Sequence, residues 1–470
     1  MSWKKILLLV SGAILLALIA ACGAAPTPQT VTVVETVVVE KEVQGEPVTV
    51  VETVEVVKTV EVIKEVEKEK PKLVVWKFDG VLPEVDQWYE KVIYQYAVEN
   101  DVDIEIFHAP EEAYFKKVTA AVETGELPDV WMTWESYVPG YLKAGVIADV
   151  SDIIAELDKN AGGLVDGIKP AMTYDGKQWA IPWQVWADAW YIRKDLLEAK
   201  KLEPPKTYED VVKLAKALAD PKAPIYGWGM HLGNSADSNA EMHTLIWSYG
   251  GSVWAEDGKT VALNSPETVK ALELVKDAWD AGAMAPDSPN WDSAGNNQCY
   301  LTEVCAIIKN AGSVYVAMRD KNPDLLERTL IMPDPAGPAG TVNFTNYEPW
   351  VMSAKSQNPE QAKKFLLWLY EPDRQLEYMQ LQKGFNFPIY KDHAKDPIWD
   401  DPNLQAFLEN SSRSRTGGYP GPNSGWVQEA LSQLILPKMM TRILVDDVPI
   451  ETAIEDAVKQ LEQIRDSYGG

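Results

Sequence analysis

The sequence predicts an α/β protein of two lobes, with a doubly wound sheet in each lobe. Strand and helix patterns alternate from residue 72 onward, at the spacing that connected strand–helix–strand units have. The chain has 470 residues, which is too long for one ordinary core and favours two domains. Hydrophobic residues make up 46% and charged residues 24% of the chain, as is typical of a globular protein.

The first predicted sheet follows from a short series of elements. In chain order they are a strand at 73–76, a helix at 83–100, a strand at 103–107, a helix at 111–124 and a strand at 127–132. The first helix begins with a proline and the second ends at Gly125, which are common signals of helix ends. Because ligands of parallel sheets bind at the carboxyl ends of the strands, Phe78–Gly80 and Thr133–Glu135 are predicted to form a binding edge.

Later helices are predicted from the signals at their ends. Thr207–Asp210 has the spacing of a capping box at the start of a helix over 207–219. Ser265–Pro266 supplies an N-cap and a first-turn proline for a helix that Gly282 closes. Residues 451–466 have the apolar periodicity of an amphipathic helix.

Charge and aromatic content limit the classes of ligand. The formal net charge is −26, so the surface repels phosphate backbones and nucleic acid is not an expected partner. Tryptophan is abundant, with 18 residues against 8 phenylalanines. Two interpretations stay open, because indole rings serve either as stacking surfaces for a ligand or as core packing.

The N-terminal segment predicts export and a stalk. Residues 1–21 have the basic start and the short apolar run of a signal peptide. Ile19–Cys22 resembles a bacterial lipobox, which implies cleavage before Cys22 and lipidation of its thiol. Residues 22–70 are predicted to form a stalk, because the part from Val31 is almost only Val, Glu, Thr and Lys and cannot build a core. Its β-branched residues favour strands, while its Glu/Lys spacing permits a helical coil.

Two further cysteines, Cys299 and Cys305, lie close together in the chain. No histidine or cysteine nearby offers the spacing of a zinc site, so no metal is expected there. A disulfide is the predicted alternative for an exported protein. One continuous helix through both residues would point their side chains apart and exclude the bond.

The stretch from Tyr174 to Leu197 combines tryptophans with amide and carboxylate groups. It contains Trp183 and Trp186 interleaved with Gln184 and Asp188. The faces of a sugar ring stack on aromatic rings and its hydroxyls need hydrogen bonds, so this composition suits a carbohydrate. A buried aromatic strand is the other interpretation of the same residues.

The order of several motifs resembles extracellular solute-binding proteins of family 1, the sugar-type receptors of ABC importers. The matching motifs are YDGK at Tyr174–Lys177, Pro182, YIRKDLL at Tyr191–Leu197, PPKTYED at Pro204–Asp210, NPEQA at Asn358–Ala362 and GFNFP at Gly384–Pro388. The segment Leu301–Gly312 resembles a further motif of the family but departs from it at Thr302, Cys305 and Ala306. The resemblance covers residues 72–466.

The resemblance implies a type II periplasmic-binding-protein-like fold with a ligand cleft between the lobes. It places one lobe at 71–183 plus 349–392 and the other at 184–348 plus 393–470. In the family, aromatic and polar groups near the crossings hold the ligand. The stacking and hydrogen-bonding candidates in this chain are Asp79, Trp134, Glu135, Trp183, Gln184, Trp186, Asp188, Asn310, Tyr347, Glu348, Trp350, Asn386 and Trp426.

The expected function is capture of a sugar or oligosaccharide, followed by delivery to the membrane permease of an ABC importer. The receptor is expected to be a monomer without a cofactor, anchored by lipid to the outer face of the bacterial cytoplasmic membrane. Two alternatives use the same cleft: a secreted glycoside hydrolase, which needs two carboxyl groups, and a carbohydrate-binding partner of a membrane sensor. The sequence contains no Gly-x-Ser-x-Gly or HExxH motif, so catalysis is not expected.

Overall fold

The computed structural model describes residues 38–43, 46–51, 70–80, 82–174 and 176–469. The predicted signal peptide and Cys22 lie outside the described residues, as does most of the predicted stalk. By its contacts the chain divides into two units, 1–69 and 70–470. In the first unit, β1 (Val38–Val43) pairs with β2 (Glu46–Val51) as an antiparallel hairpin. Of the two forms considered for the stalk, these residues therefore adopt the strand form.

The unit 70–470 contains alternating strands and helices. Its strands are β3 (Lys72–Phe78), β4 (Asp103–Ala109), β5 (Val130–Met132), β6 (Thr173–Tyr174), β7 (Lys177–Gln178), β8 (Ile181–Val185), β9 (Asp188–Arg193), β10 (Tyr226–Trp228), β11 (Cys305–Ala311), β12 (Thr329–Met332), β13 (Asn343–Phe344), β14 (Tyr347–Met352) and β15 (Ser414–Arg415). Its helices are α1 (Pro83–Asn100), α2 (Glu111–Thr124), α3 (Val138–Lys143), α4 (Ser151–Leu157), α5 (Ile168–Ala171), α6 (Lys194–Lys200), α7 (Tyr208–Leu218), α8 (Ala236–Ser248), α9 (Pro266–Asp280), α10 (Gly295–Leu301), α11 (Gly312–Lys321), α12 (Pro323–Glu327), α13 (Pro359–Leu369), α14 (Pro372–Gln382), α15 (Pro402–Ser412), α16 (Gly425–Ser432), α17 (Ile435–Leu444) and α18 (Ile450–Ser467). Short 3-10 helices lie at Glu135–Tyr137, Ser288–Asn290, Lys391–Lys395 and Pro397–Asp400. None of the described helices is long and apolar enough to cross a membrane.

One lobe is built on a five-stranded sheet in the order β4-β3-β5-β14-β8. The strand β3 is parallel to both of its neighbours, as the strand–helix order of the sequence predicts. The strand β14 is antiparallel to β5 and β8, so the sheet is mixed. It completes the sheet from a part of the chain more than 200 residues beyond β5.

The other lobe is built on a four-stranded sheet in the order β10-β11-β9-β12. The strand β9 is antiparallel to both of its neighbours, whereas β10 and β11 are parallel. Only Trp186 and Ala187 separate β8 of the first sheet from β9 of the second, so the chain crosses between the lobes there. The two-lobed α/β prediction is confirmed, while the lobe boundaries given above stay a prediction.

The helix ends follow the predicted local rules. The helix α1 begins at Pro83, and α2 ends where Gly125 adopts a φ of 78° and donates its N–H to the Ala121 carbonyl. Thr207 and Asp210 form the predicted capping box at the start of α7. These rules depend only on neighbouring residues, so they hold without knowledge of the tertiary contacts.

The predicted disulfide between Cys299 and Cys305 is present, with a Cα–Cα distance of 5.2 Å. Cys299 lies in α10, which ends at Leu301, and Cys305 begins β11. Between them Glu303 has a φ of 65°, which turns the chain from the helix into the strand. The continuous helix that would have separated the two thiols therefore does not form.

Removal of this bond is expected to destabilise the protein. In the variant Cys299→Ala/Cys305→Ala, the free energy of unfolding falls by about 2 kcal/mol, because the unfolded chain regains the entropy of an open loop. Denaturant unfolding of the oxidised wild type and of the variant measures the difference. Reductant should lower the stability of the wild type and leave the variant unchanged. Equal stability of oxidised and reduced wild type would contradict the prediction.

Candidate functional site

A cavity of about 590 Å³ lies between the two sheets. Its wall combines the loop after β5, the crossing between β8 and β9, the start of α8, and the region of α16. Among the predicted ligand residues, those on this wall are Trp134, Glu135, Trp186, Asp188, Asn310 and Tyr347. The predicted edge after β5 thus lies on the wall of this cavity.

A smaller cavity of about 120 Å³ adjoins the first one and shares Glu111, Trp134 and Trp186 with it. The predicted residues on its wall that are not in the larger cavity are Asp79, Gln184, Glu348 and Asn386. The ends of β3 and β5, predicted as one binding edge, therefore contribute to neighbouring cavities. Ten of the thirteen predicted ligand residues line one cavity or both.

Two half-buried indoles separate the cavities. The rings of Trp134 and Trp186 are 5.7 Å apart and meet edge to face at 61°. Trp134 donates its Nε1–H to Glu111 at 2.9 Å, and Trp186 packs edge-on against Phe385 at 5.3 Å. The Trp186 Nε1–H is without a hydrogen-bond partner among the described residues. Both rings are held by neighbours and offer surface to each cavity.

The Glu135 carboxyl is buried on the wall of the larger cavity. Its Oε1 accepts hydrogen bonds from Asn423 at 3.1 Å and from Gln428 at 3.4 Å. Burial raises the pKa of Glu135 to about 8. Its Oε2 has no hydrogen-bond partner within the described part of the chain. At neutral pH the raised pKa keeps this carboxyl largely protonated, so it can donate or accept a hydrogen bond.

A chain of hydrogen bonds lines the smaller cavity. Tyr378 donates to the Gln184 Oε1 at 2.7 Å, and the Gln184 Nε2 donates to the Glu348 Oε2 at 2.9 Å. Burial raises the pKa of Glu348 to about 8. Gln184 and Glu348 face each other across the β8–β14 pair, which explains why residues 164 positions apart act together.

The second lobe contributes a carboxylate and an amide cluster. Asp188 is half-buried at the start of β9, and burial raises its pKa to about 7. Asn310 in β11 donates to the side-chain carbonyl oxygens of Asn296 and Asn297 in α10. The disulfide joins α10 to β11, so it ties together the two elements that carry this amide cluster.

Three of the predicted stacking residues do not lie on either cavity wall. Trp183 is fully buried between aromatic rings of α1 and α14. Trp350 is fully buried against Tyr89 and Phe365. Trp426 donates its Nε1–H to the Gly258 carbonyl at 2.9 Å, outside both cavities. The rings of Trp183 and Trp350 are covered by protein and have no free face on which a ligand could stack.

Several wall residues were not predicted. Those with polar or aromatic side chains are Glu111, Ser136, Tyr137, Asp237, Asn239, Ser293, Asn297, Ser313, Phe344, Asn346, Gln428 and Ser432. The sequence contains one signal for the start of α8, because serine is a common N-cap residue. In the structure Ser235 caps α8 by accepting a hydrogen bond from the Ser238 N–H. No pattern among the neighbouring residues predicts that the first turn of α8 lies next to the crossing between β8 and β9. Among the described residues, no group of His, Cys, Asp and Glu is placed to hold a metal ion.

Comparisons with known proteins agree with this architecture. The family described as bacterial extracellular solute-binding protein matches residues 91–406. YcjN of Escherichia coli, provisionally named an ABC transporter periplasmic-binding protein, is 21% identical over 80% of this chain and 89% of its own length. A maltotriose-binding protein of Pyrococcus abyssi is 23% identical over 72% of this chain and 70% of its own length.

Solved structures share the fold. The solute-binding protein of an ABC transporter from Thermotoga lettingae, solved with α-D-tagatose, superposes with a TM-score of 0.70. The match covers 84% of this chain and 100% of that one, at 21% identity. At this identity the likeness concerns the path of the chain and not the ligand.

Proposed function

Because the chain belongs to the bacterial extracellular solute-binding proteins, we propose that it is the carbohydrate receptor of an ABC importer. The observation that carries the proposal is the larger cavity, with two half-buried indoles and a wall of carboxyl and amide groups. A sugar ring stacks its C–H face on an indole, while vicinal hydroxyls pair with carboxylates and amides. The names of the maltotriose-binding and tagatose-bound relatives support a carbohydrate of this kind.

The mechanism we propose is closure of the two lobes around the sugar. The larger cavity takes wall residues from both lobes, so a ligand in it contacts both. A ligand shifts the equilibrium toward the closed form by its higher affinity for that form. The two-residue crossing at Trp186 and Ala187 is a place where a small change of φ and ψ would move one sheet relative to the other. The closed form then presents both lobes to the permease subunits.

Export and lipid anchoring complete the proposal. Residues 1–21 would direct export, a lipid on Cys22 would hold the protein at the outer face of the membrane, and residues 22–70 would separate the anchor from the receptor. The Cys299–Cys305 disulfide fits an extracytoplasmic location, where such bonds persist. The receptor would act as a monomer.

The glycoside hydrolase alternative has weaker support. Glu135 and Glu348, the glutamates that would have to act as the catalytic pair, line different cavities. A glycosidase needs two carboxyl groups that flank one glycosidic bond. Release of product from an oligosaccharide, lost in Glu135→Gln or Glu348→Gln, would favour the enzyme over the receptor.

Calorimetric titration with a panel of mono- and oligosaccharides tests the receptor. Trp186→Ala is expected to lower the affinity for the bound sugar by roughly tenfold or more, because a central stacking ring carries a large share of the binding energy. Trp426→Ala is the matched control and should retain the wild-type affinity, since this ring lies outside both cavities. Absence of binding to every carbohydrate, or equal losses in the two variants, would contradict the proposal.

A further inference from the structure

The Asp, Glu, Lys and Arg side chains that the described residues place on the wall of the larger cavity are all acidic. The wall contains four carboxyl groups, those of Glu111, Glu135, Asp188 and Asp237. Within the described residues, neither lysine nor arginine is on that wall. A neutral sugar would bring no positive charge to these carboxyl groups. An acidic or phosphorylated sugar would be repelled by them.

Asp188 and Asp237 are the two of these carboxyl groups that act on each other. They come from the start of β9 and from the first turn of α8, and the negative charge of Asp237 adds to the burial that raises the pKa of Asp188. The cation that attracts Asp188 is Lys309, which lies behind the wall. Its side chain is 1% exposed and forms an ion pair with Asp334 at 3.0 Å. Lys309 is therefore not available to a ligand.

Two buried polar groups on the same wall lack a partner. The Glu135 side chain is buried, and its Oε2 accepts no hydrogen bond from the described residues. Trp186 lines the same cavity, and its Nε1–H is likewise without a partner among the described residues. A buried polar atom without a partner is costly, so the wall is incomplete until a ligand supplies one. A carboxyl group that its raised pKa keeps protonated can donate one hydrogen bond and accept others, so a ligand hydroxyl can pair with it.

Building on the proposed carbohydrate function, we propose that the ligand is an amino sugar whose protonated amine lies against Asp188 and Asp237. Its ring stacks on Trp186, and its hydroxyls donate to the remaining carboxylates. An ammonium group supplies three donors and the positive charge that the wall lacks. The half-exposed indoles of Trp134 and Trp186 add a favourable surface for a cation.

Calorimetry with three oligosaccharides of equal length separates charge from shape. The probes are a glucosamine trimer, its N-acetylated form and a glucose trimer. We expect the glucosamine trimer to bind at least about tenfold more tightly than either neutral trimer, as a charge-assisted hydrogen bond implies. Asp188→Asn and Asp237→Asn should each lower the affinity for the glucosamine trimer more than the affinity for the neutral trimers, and so remove most of that preference. Circular dichroism and a thermal melt confirm that each variant is folded.

Asp446→Asn serves as the matched control, because this exposed residue lies outside both cavities and the substitution removes the same charge. It should keep the preference for the amine. A glucose trimer bound as tightly as the glucosamine trimer would overturn the amine inference and keep the carbohydrate function. Binding of spermidine but of no saccharide would overturn both.

Discussion

Replacement of Lys309 by methionine is expected to lower the free energy of unfolding by about 3–5 kcal/mol, because it leaves a buried carboxylate without its cation. Lys309 and Asp334 have side chains that are each 1% exposed, and their charged atoms are 3.0 Å apart. The contact is an ion pair whose alignment falls short of hydrogen-bond geometry. Lys309 also offsets the negative charges of Asp188 and Glu241.

Asp334 joins several elements of the second lobe. Its Oδ1 accepts from Trp190 at 2.9 Å, its Oδ2 accepts from Asn343 at 2.7 Å, and its N–H donates to Asn410 at 3.1 Å. These bonds link β9, β13 and α15. Without Lys309 the same groups would surround a carboxylate that either stays charged at high cost or takes up a proton.

Urea unfolding of a double-mutant cycle measures the contribution of the pair. Lys309→Met and Asp334→Asn should each destabilise the protein strongly, and the double variant should lose less than the sum of the two single losses. Lys363→Met breaks the exposed pair with Asp152 and should change stability by less than about 1 kcal/mol. Additive losses in the cycle would show that the two charges do not interact as the structure indicates.

Replacement of Trp183 by alanine is expected to destabilise the protein by about 3–5 kcal/mol. The indole is fully buried, with the rings of Tyr370 and Tyr378 each 4.9 Å away and those of Trp88 and Tyr89 at about 6 Å. The shortened side chain would leave a cavity among rings that are fixed by α1, α14 and the sheet. Such a cavity closes only in part, so most of the lost contact energy is not recovered.

The folded fraction of Trp183→Ala should bind ligand with nearly the wild-type affinity. Unfolding curves and calorimetry on the same preparations give both quantities. Trp186→Ala should show the opposite result, with a large loss of affinity and a smaller loss of stability. If Trp183→Ala abolished binding while its stability stayed unchanged, Trp183 would have to face the ligand, against its place in the core.

Local rules account for the parts of the fold that the sequence predicted well. Pro83 and Gly125 mark helix ends because of their own backbone preferences, and the Thr207–Asp210 capping box closes within one turn. The strands β3, β4 and β5 run parallel because a helix connects each of them to the next one in the chain. The position of β14 depends on a pairing with strands far away in the chain, and no local signal encodes its antiparallel direction.

The sequence predicted the residues of the candidate site at the crossing between β8 and β9. It did not predict those contributed by α8. Trp186 follows β8 directly, where the chain leaves the first sheet, whereas Trp183 lies within the strand and under two helices. Both are tryptophans in one short stretch, so composition could not separate them. Asp237 reaches the cavity only because α8 packs beside the crossing, which depends on long-range contacts that one sequence does not reveal.

The indoles between the two cavities have a spectroscopic consequence. Trp134 and Trp186 are half-buried, whereas the rings of Trp183 and Trp350 are sealed from solvent. A ligand in either cavity would change the polarity around the indole rings of Trp134 and Trp186. The tryptophan emission spectrum of the protein should therefore shift when a ligand fills either cavity. The double variant Trp134→Phe/Trp186→Phe should lose this shift and keep most of the fluorescence.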